Sequence, residues 1–358
     1  MPNNTSKFKR IHVLTDILIT LSFFNGLKEC YCKTIPVNPK YIASVPSEVQ
    51  TAEKLEYFQV VFAKQVINAM RAWNFDQLVD TFKQARIQGA FPDWYLEYQA
   101  NCLRACDKNG ILLTYHIVDS MGFYYLQLIE SVRKDVSIVP VYFLQYPWYL
   151  SLMESNDPLH MNPPELRITR EEIRNITFEI SPVISENVES YEIEFFMEIS
   201  KFYNLECTSN PVYKKGINTL VVDNIKNRPI YMIAGLKDPS AVYENVHMIL
   251  NGLVYQLNEK TVPEIERINW SSIEKLLLEP QYFNEINHAD TSLSSFITQI
   301  REQYTELACL FVEHTFYVQN KPSEKLISLL QAGPLKHAIL PKLDNNDDSS
   351  VHSKMNNH

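Results

Sequence analysis

Glycine scarcity constrains this chain more than any other feature. Only eight of 358 residues are glycine, at 26, 89, 110, 122, 216, 235, 252 and 333, and no two lie within three residues of each other. Glycine supplies left-handed turns and close backbone approach to ligands. Phosphate-binding loops and dinucleotide-binding turns both need it in clusters. Neither fingerprint is present, and a β fold rich in tight turns is disfavoured. Helices ended by Asn, Asp, Ser and Pro are the natural alternative.

The first 135 residues read that way. Apolar residues recur at three- and four-residue steps over 8–24, 48–72, 75–87, 94–108 and 111–134, the signature of amphipathic helices. Ser47 with Gln50 and Asn74 with Gln77 form capping boxes, Asp93 is a further cap, and Asn109-Gly110 breaks the array. Residues 137–144 then read as a short extended segment containing Pro140. The polar, proline-containing stretch 155–165 is the clearest internal loop. Helix 187–205 follows, then a hairpin of strands 218–223 and 229–234. Further helices are expected from Asp238-Pro239 to about 258, from Ser271 to near Pro280, over 292–319 and over 323–332.

The expected fold class is therefore α+β and predominantly helical: a helical array followed by a mixed region with a small β-hairpin and long helices. Residues 1–135 form the helical region and 136–343 the mixed region, either continuous with the first or packed as a second domain. The tail 344–358, rich in Asn, Asp and Ser, has almost nothing to bury and is expected to be disordered. No repeat of constant period is visible.

Charge and cysteine use narrow the partners. The net charge of -9 is unevenly placed, with about +2 before residue 136 and -11 after it. No basic stripe with interleaved aromatics appears, so nucleic acid is a poor partner for the acidic part. The six cysteines (30, 32, 102, 106, 207 and 309) give neither a disulfide framework nor metal-knuckle spacing, and they read as reduced, buried thiols in a cytoplasmic protein. Lys7, Lys9 and Arg10 before an apolar stretch imitate a signal peptide, but Asp16 interrupts the stretch. No run reaches the length of a membrane span.

Three constellations could carry function. Glu-x-x-His occurs twice, at Glu244/His247 and Glu285/His288. On helices, positions three apart share a face, so two such pairs are a candidate iron, manganese or zinc site. The competing reading is solvated side chains, and the default is no cofactor. The second constellation is His116, Asp119 and Glu130, which fall on one face of the expected helix 111–134. An imidazole oriented by a carboxylate is the arrangement general-base catalysis uses. Cys102 and Cys207 are weaker candidates for a nucleophile. Third, aromatics are dense over 142–149 and on the preceding helices. Trp94, Tyr98, Tyr124, Tyr146 and Trp148 are candidates for a pocket or interface, against the plainer reading that they fill the core.

Two functions follow as expectations. The first is a helical protein-binding or regulatory protein whose aromatic groove engages another protein. Few glycines, 28 asparagines and a polar tail also suit an AT-rich genome, a composition shared by some effectors that intracellular bacteria deliver into host cells. The second is an enzyme of helical fold acting on a small molecule, through a metal or a histidine base.

Overall fold

A computed structural model describes residues 52–115, 117–145, 147–153, 159, 162–167, 211–233, 246–263, 266–279, 285, 286, 289 and 295–319. The expected helices 8–24, 187–205 and 323–332 and the tail lie outside the described residues. Within them the protein is mostly helical, with a small mixed sheet of five strands.

Three helices open the described chain: α1 (Ala52–Arg71), α2 (Phe75–Ile87) and α3 (Asp93–Ala105). The capping box before α2 forms only in part: the Asn74 side chain caps the helix, but the Asn74 amide donates to the Ala69 carbonyl at 2.9 Å rather than to Gln77. Asn74 Oδ1 accepts from the Gln77 amide at 3.0 Å, and Asn74 Nδ2 donates to Gln77 Oε1 at 3.2 Å. At α3 the cap is Pro92, and Asp93 is instead the first helical residue, paired with Arg86.

The expected helix 111–134 is two elements. Strand β1 (Ile111–Thr114) comes first, then α4 (Ile117–Leu128). A short run of apolar residues cannot be told from a helical turn by periodicity. Ile111 to Thr114 are all buried because the strand has neighbours on both sides. Strand β2 (Ser137–Pro140) follows, its Pro140 at the strand end, and leads into a 3-10 helix (Val141–Gln145) and α5 (Pro147–Met153).

Two further expectations are corrected. Residues 218–223 belong to α6 (Pro211–Asn224), not to a hairpin strand; only the second expected strand forms, as β3 (Ile230–Ile233). The hairpin lies later, where a helix to 258 was expected: β4 (His247–Asn251) and β5 (Val254–Asn258) pair from Asn251↔Val254 to His247↔Asn258. Its two-residue turn uses Gly252 at φ +65°, a left-handed conformation that favours glycine. Helices α7 (Trp270–Leu278) and α8 (Ser295–Gln319) close the described chain.

The strand order is β2-β1-β3-β5-β4, with β2, β1 and β3 parallel and β5 and β4 antiparallel. The chain leaves β1 through α4 to β2 on one side, then returns to place β3 on the other. The amino ends of the parallel strands are closed by two arginines. Arg228 donates to the carbonyls of Asn109 (2.8 Å), Asn162 (3.1 Å) and Pro163 (3.1 Å) and to Ser137 Oγ (2.8 Å). Arg133 donates to the carbonyls of Leu103 (2.8 Å), Cys106 (2.8 Å) and Asp107 (3.0 Å), and grips Asp135 with two bonds of 2.8 Å. These bonds supply partners for carbonyls at the end of α3, which has no glycine to cap it.

Candidate site at the carboxyl end of the central strand

In open sheets with parallel strands, ligands sit beyond the strands' carboxyl ends, where successive connections diverge. Here that point lies between β1 and β3. The connection from β1 to α4 is two residues long, Tyr115 and His116. Thr114, the last residue of β1, is fully buried, and its Oγ1 lies 2.6 Å from Ser120 Oγ on the first turns of α4. The Tyr142 amide donates to the Tyr115 carbonyl at 3.1 Å, which ties the end of β1 to the 3-10 helix after β2. Asp119 sits half-buried in the first turn of α4.

Helix α3 lies behind this turn. Tyr95 Oη donates to the Val118 carbonyl at 3.2 Å, and Gln99 Nε2 donates to the Asp119 carbonyl at 2.9 Å. Tyr98, one helical position before Gln99, is buried with Cys102, Tyr304 and Asp119 around it. Burial first, and then those neighbours, hold its phenol well above the ordinary range. Burial also pushes the Cys102 thiol up to about 12, against the opposing effect of its bond with Tyr98. A thiol so protonated is a poor nucleophile at neutral pH, so Cys102 is a packing residue. Cys207 lies outside the described residues.

The expected catalytic trio divides. Asp119 stands at the strand end, and His116 lies outside the described residues. Glu130 is exposed and falls two residues past the far end of α4, whose last residue Leu128 is already about 14 Å along the helix axis from Asp119 at 1.5 Å per residue. It neighbours Tyr125 instead. The shared face was drawn on a helix running to 134, whereas α4 stops at Leu128.

Of the metal pairs, Glu244 and His288 lie outside the described residues. His247 is the first residue of strand β4 and not on a helix, so the helical rationale for its pair fails. Glu285 is exposed, and its amide donates to Glu97 Oε2 at 2.8 Å. Among the described residues no group of three or more His, Cys, Asp or Glu could hold a metal ion.

The aromatic candidates are largely core. Trp94, Tyr98 and Tyr124 are buried, and Tyr124 Oη donates to the Ile138 carbonyl at 3.3 Å. Trp148 is half-buried and meets Phe143 edge-on, with centroids 5.3 Å apart; Tyr146 lies outside the described residues. Side chains spent in this way are closed to a partner unless the helices separate.

Sequence reasoning pointed at His116 and Asp119 through their spacing and missed Thr114, Ser120 and Gln99. The signal available for Thr114 was the break at Asn109-Gly110, which starts a new element at Ile111. Nothing in the local pattern marks Gln99, because its partner is twenty residues away.

One family model matches the chain, that of TMEM260-associated domain 2, over residues 96–216, about a third of the length. That span holds most of α3 and all of β1, α4 and β2, and so the candidate site. No curated protein and no solved structure matches the chain.

Proposed function

We propose that this protein binds a small molecule at the carboxyl end of β1 and, where chemistry follows, acts on it through His116 with Asp119 as its orienting carboxylate. The observation that carries this reading is the place of Asp119 relative to the sheet. Arg133 and Arg228 are spent on carbonyls at the amino end of the sheet, and at the carboxyl end, by the diverging connections, Asp119 sits half-buried on the first turn of a helix.

The ligand class follows from charge. The amino end of a helix carries a partial positive charge that favours anions. Asp119 already occupies that position with a carboxylate, so a phosphate or carboxylate ligand would meet like charge. A neutral or cationic molecule bearing hydroxyl or amine donors fits better, because an ionised carboxylate only accepts.

The reading as a protein-binding or regulatory protein has less support, since Trp94, Tyr98 and Tyr124 are consumed by the core. Cytoplasmic residence and delivery into a host cell rest on composition alone. No helix among the described residues is long and apolar enough to cross a membrane.

The test is calorimetry on the full chain against three probe sets: polyols, primary amines and inorganic phosphate. Binding of a polyol or amine that Asp119→Asn weakens at least tenfold, with phosphate inert, supports the reading. No binding by any set, or binding indifferent to both Asp119→Asn and His116→Ala, overturns it.

A further inference from the structure

The bonds from α3 to the first turn of α4 are additional to those that the helix makes for itself. Within α4 the Val118 and Asp119 carbonyls already accept from the amides four residues on, those of Gly122 and Phe123. Tyr95 and Gln99 add a second donor to each. Both are buried, Gln99 to 2% exposure. A polar side chain placed so deeply to reinforce a satisfied carbonyl is costly to desolvate, and ordinary helix packing does not require it.

We infer that Gln99 is a positioning residue for the candidate site, holding Asp119 in place through its backbone; this rests on the reading of Asp119 given above. The amide can face only one way. Its Nε2 donates to the Asp119 carbonyl, whereas Oε1 has no hydrogen-bond partner and lies over the backbone of Gly122. A Cβ on Gly122 would come within 2.0 Å of Oε1, so this oxygen rests against the glycine Cα hydrogens, a weak donor. Turning the amide over would set oxygen against the carbonyl oxygen and its NH2 against a C–H group, losing the bond and adding repulsion. The far side of α3 is held in turn by α8, where Asn101 Nδ2 donates to Tyr304 Oη at 2.7 Å. Gln99 therefore projects from a helix gripped from behind, and Asp119 inherits that rigidity.

The experiment uses the full chain without ligand and compares wild type, Gln99→Met and Gln99→Glu by NMR. Met keeps the length and removes the donor. A buried Glu is neutral at low pH and donates, then ionises and cannot as pH rises. Two signals are read: exchange of the Phe123 amide relative to Tyr125–Gln127, and titration of the Asp119 carboxyl. In Gln99→Met the Phe123 amide should exchange about five- to tenfold faster relative to the later ones, the loss expected for one hydrogen bond, and the Asp119 titration should shift. In Gln99→Glu both signals should resemble wild type at low pH and Gln99→Met at high pH. Uniform acceleration along α4, or an Asp119 titration identical in all three proteins, overturns the inference. A positioning effect without any ligand bound by wild type would instead refute the proposed function and leave this inference standing.

Discussion

Gly122 offers the sharpest test of how α3 and α4 fit together. Replacing it with alanine adds a carbon 2.0 Å from Gln99 Oε1, 2.9 Å from Gln99 Cδ and 2.8 Å from Tyr95 Cε1. Gln99 must then leave. Its bond to the Asp119 carbonyl is worth about 1 kcal/mol, and a displaced amide left buried without partners costs about 1–3 kcal/mol more. Against this, alanine in a helix interior is favoured over glycine by about 1 kcal/mol. The balance is a loss of about 1–3 kcal/mol. In a Gln99→Ala background the worst contacts vanish, and only the edge of the Tyr95 ring has to give. There the same substitution should cost little or stabilise, a coupling of about 2 kcal/mol between the two sites. Urea unfolding followed by circular dichroism on the four proteins measures it, with m-values checked for constancy. Additivity within about 0.5 kcal/mol would refute the packing argument.

Two other substitutions probe the closed end of the sheet and the exit of α4. Arg133→Met strips three carbonyls and Asp135 of their donor and should cost about 2–3 kcal/mol in the same unfolding assay; a change under ~0.5 kcal/mol would contradict the staple. The pH dependence has a definite sign. Arg133 first, and then the Asn109 amide, hold the Asp135 carboxyl down to about 2 from 3.8 against an opposing effect of burial. A carboxylate depressed on folding stabilises above its unfolded pKa, and that contribution fades as pH falls from about 4 towards 2. Asp135 is 28% exposed, so after solvent screening the total loss is about 1 kcal/mol, and it should disappear in Arg133→Met. Ser131 is exposed at φ +59° just after α4. Ser131→Gly should stabilise by about 0.5–1 kcal/mol, read as a higher urea midpoint, and a lower midpoint would show that the serine has a role of its own.

Much of the helical framework was legible because its signals are local. The Asn74 cap and the apolar stripes of α2 and α3 act within a turn or two, and the structure keeps them. Even there, neighbouring residues competed. Near α7 the helix was expected from Ser271, yet it begins at Trp270, and Asn269 caps it by accepting from the Ser272 amide at 3.2 Å. Strands were harder. Ile111-Leu112-Leu113-Thr114 has no alternation to betray it, because parallel strands buried on both faces need none. The Asn251-Gly252 turn was a readable hairpin signal, but it was absorbed into a helical pattern running through Val246, Ile249 and Leu253.

The residues alone determined where α2 begins and that no glycine-rich phosphate-loop fingerprint is present, since both depend on what neighbours in the chain can do. Tertiary structure decided the rest. Ile111 pairs with Ile230 across more than a hundred residues, Arg133 reaches back to the end of α3, and Gln99 reaches forward to Asp119. No local preference encodes such partners. They are chosen when the sheet assembles, because buried backbone and side-chain polar groups must find hydrogen bonds wherever the packed chain brings them.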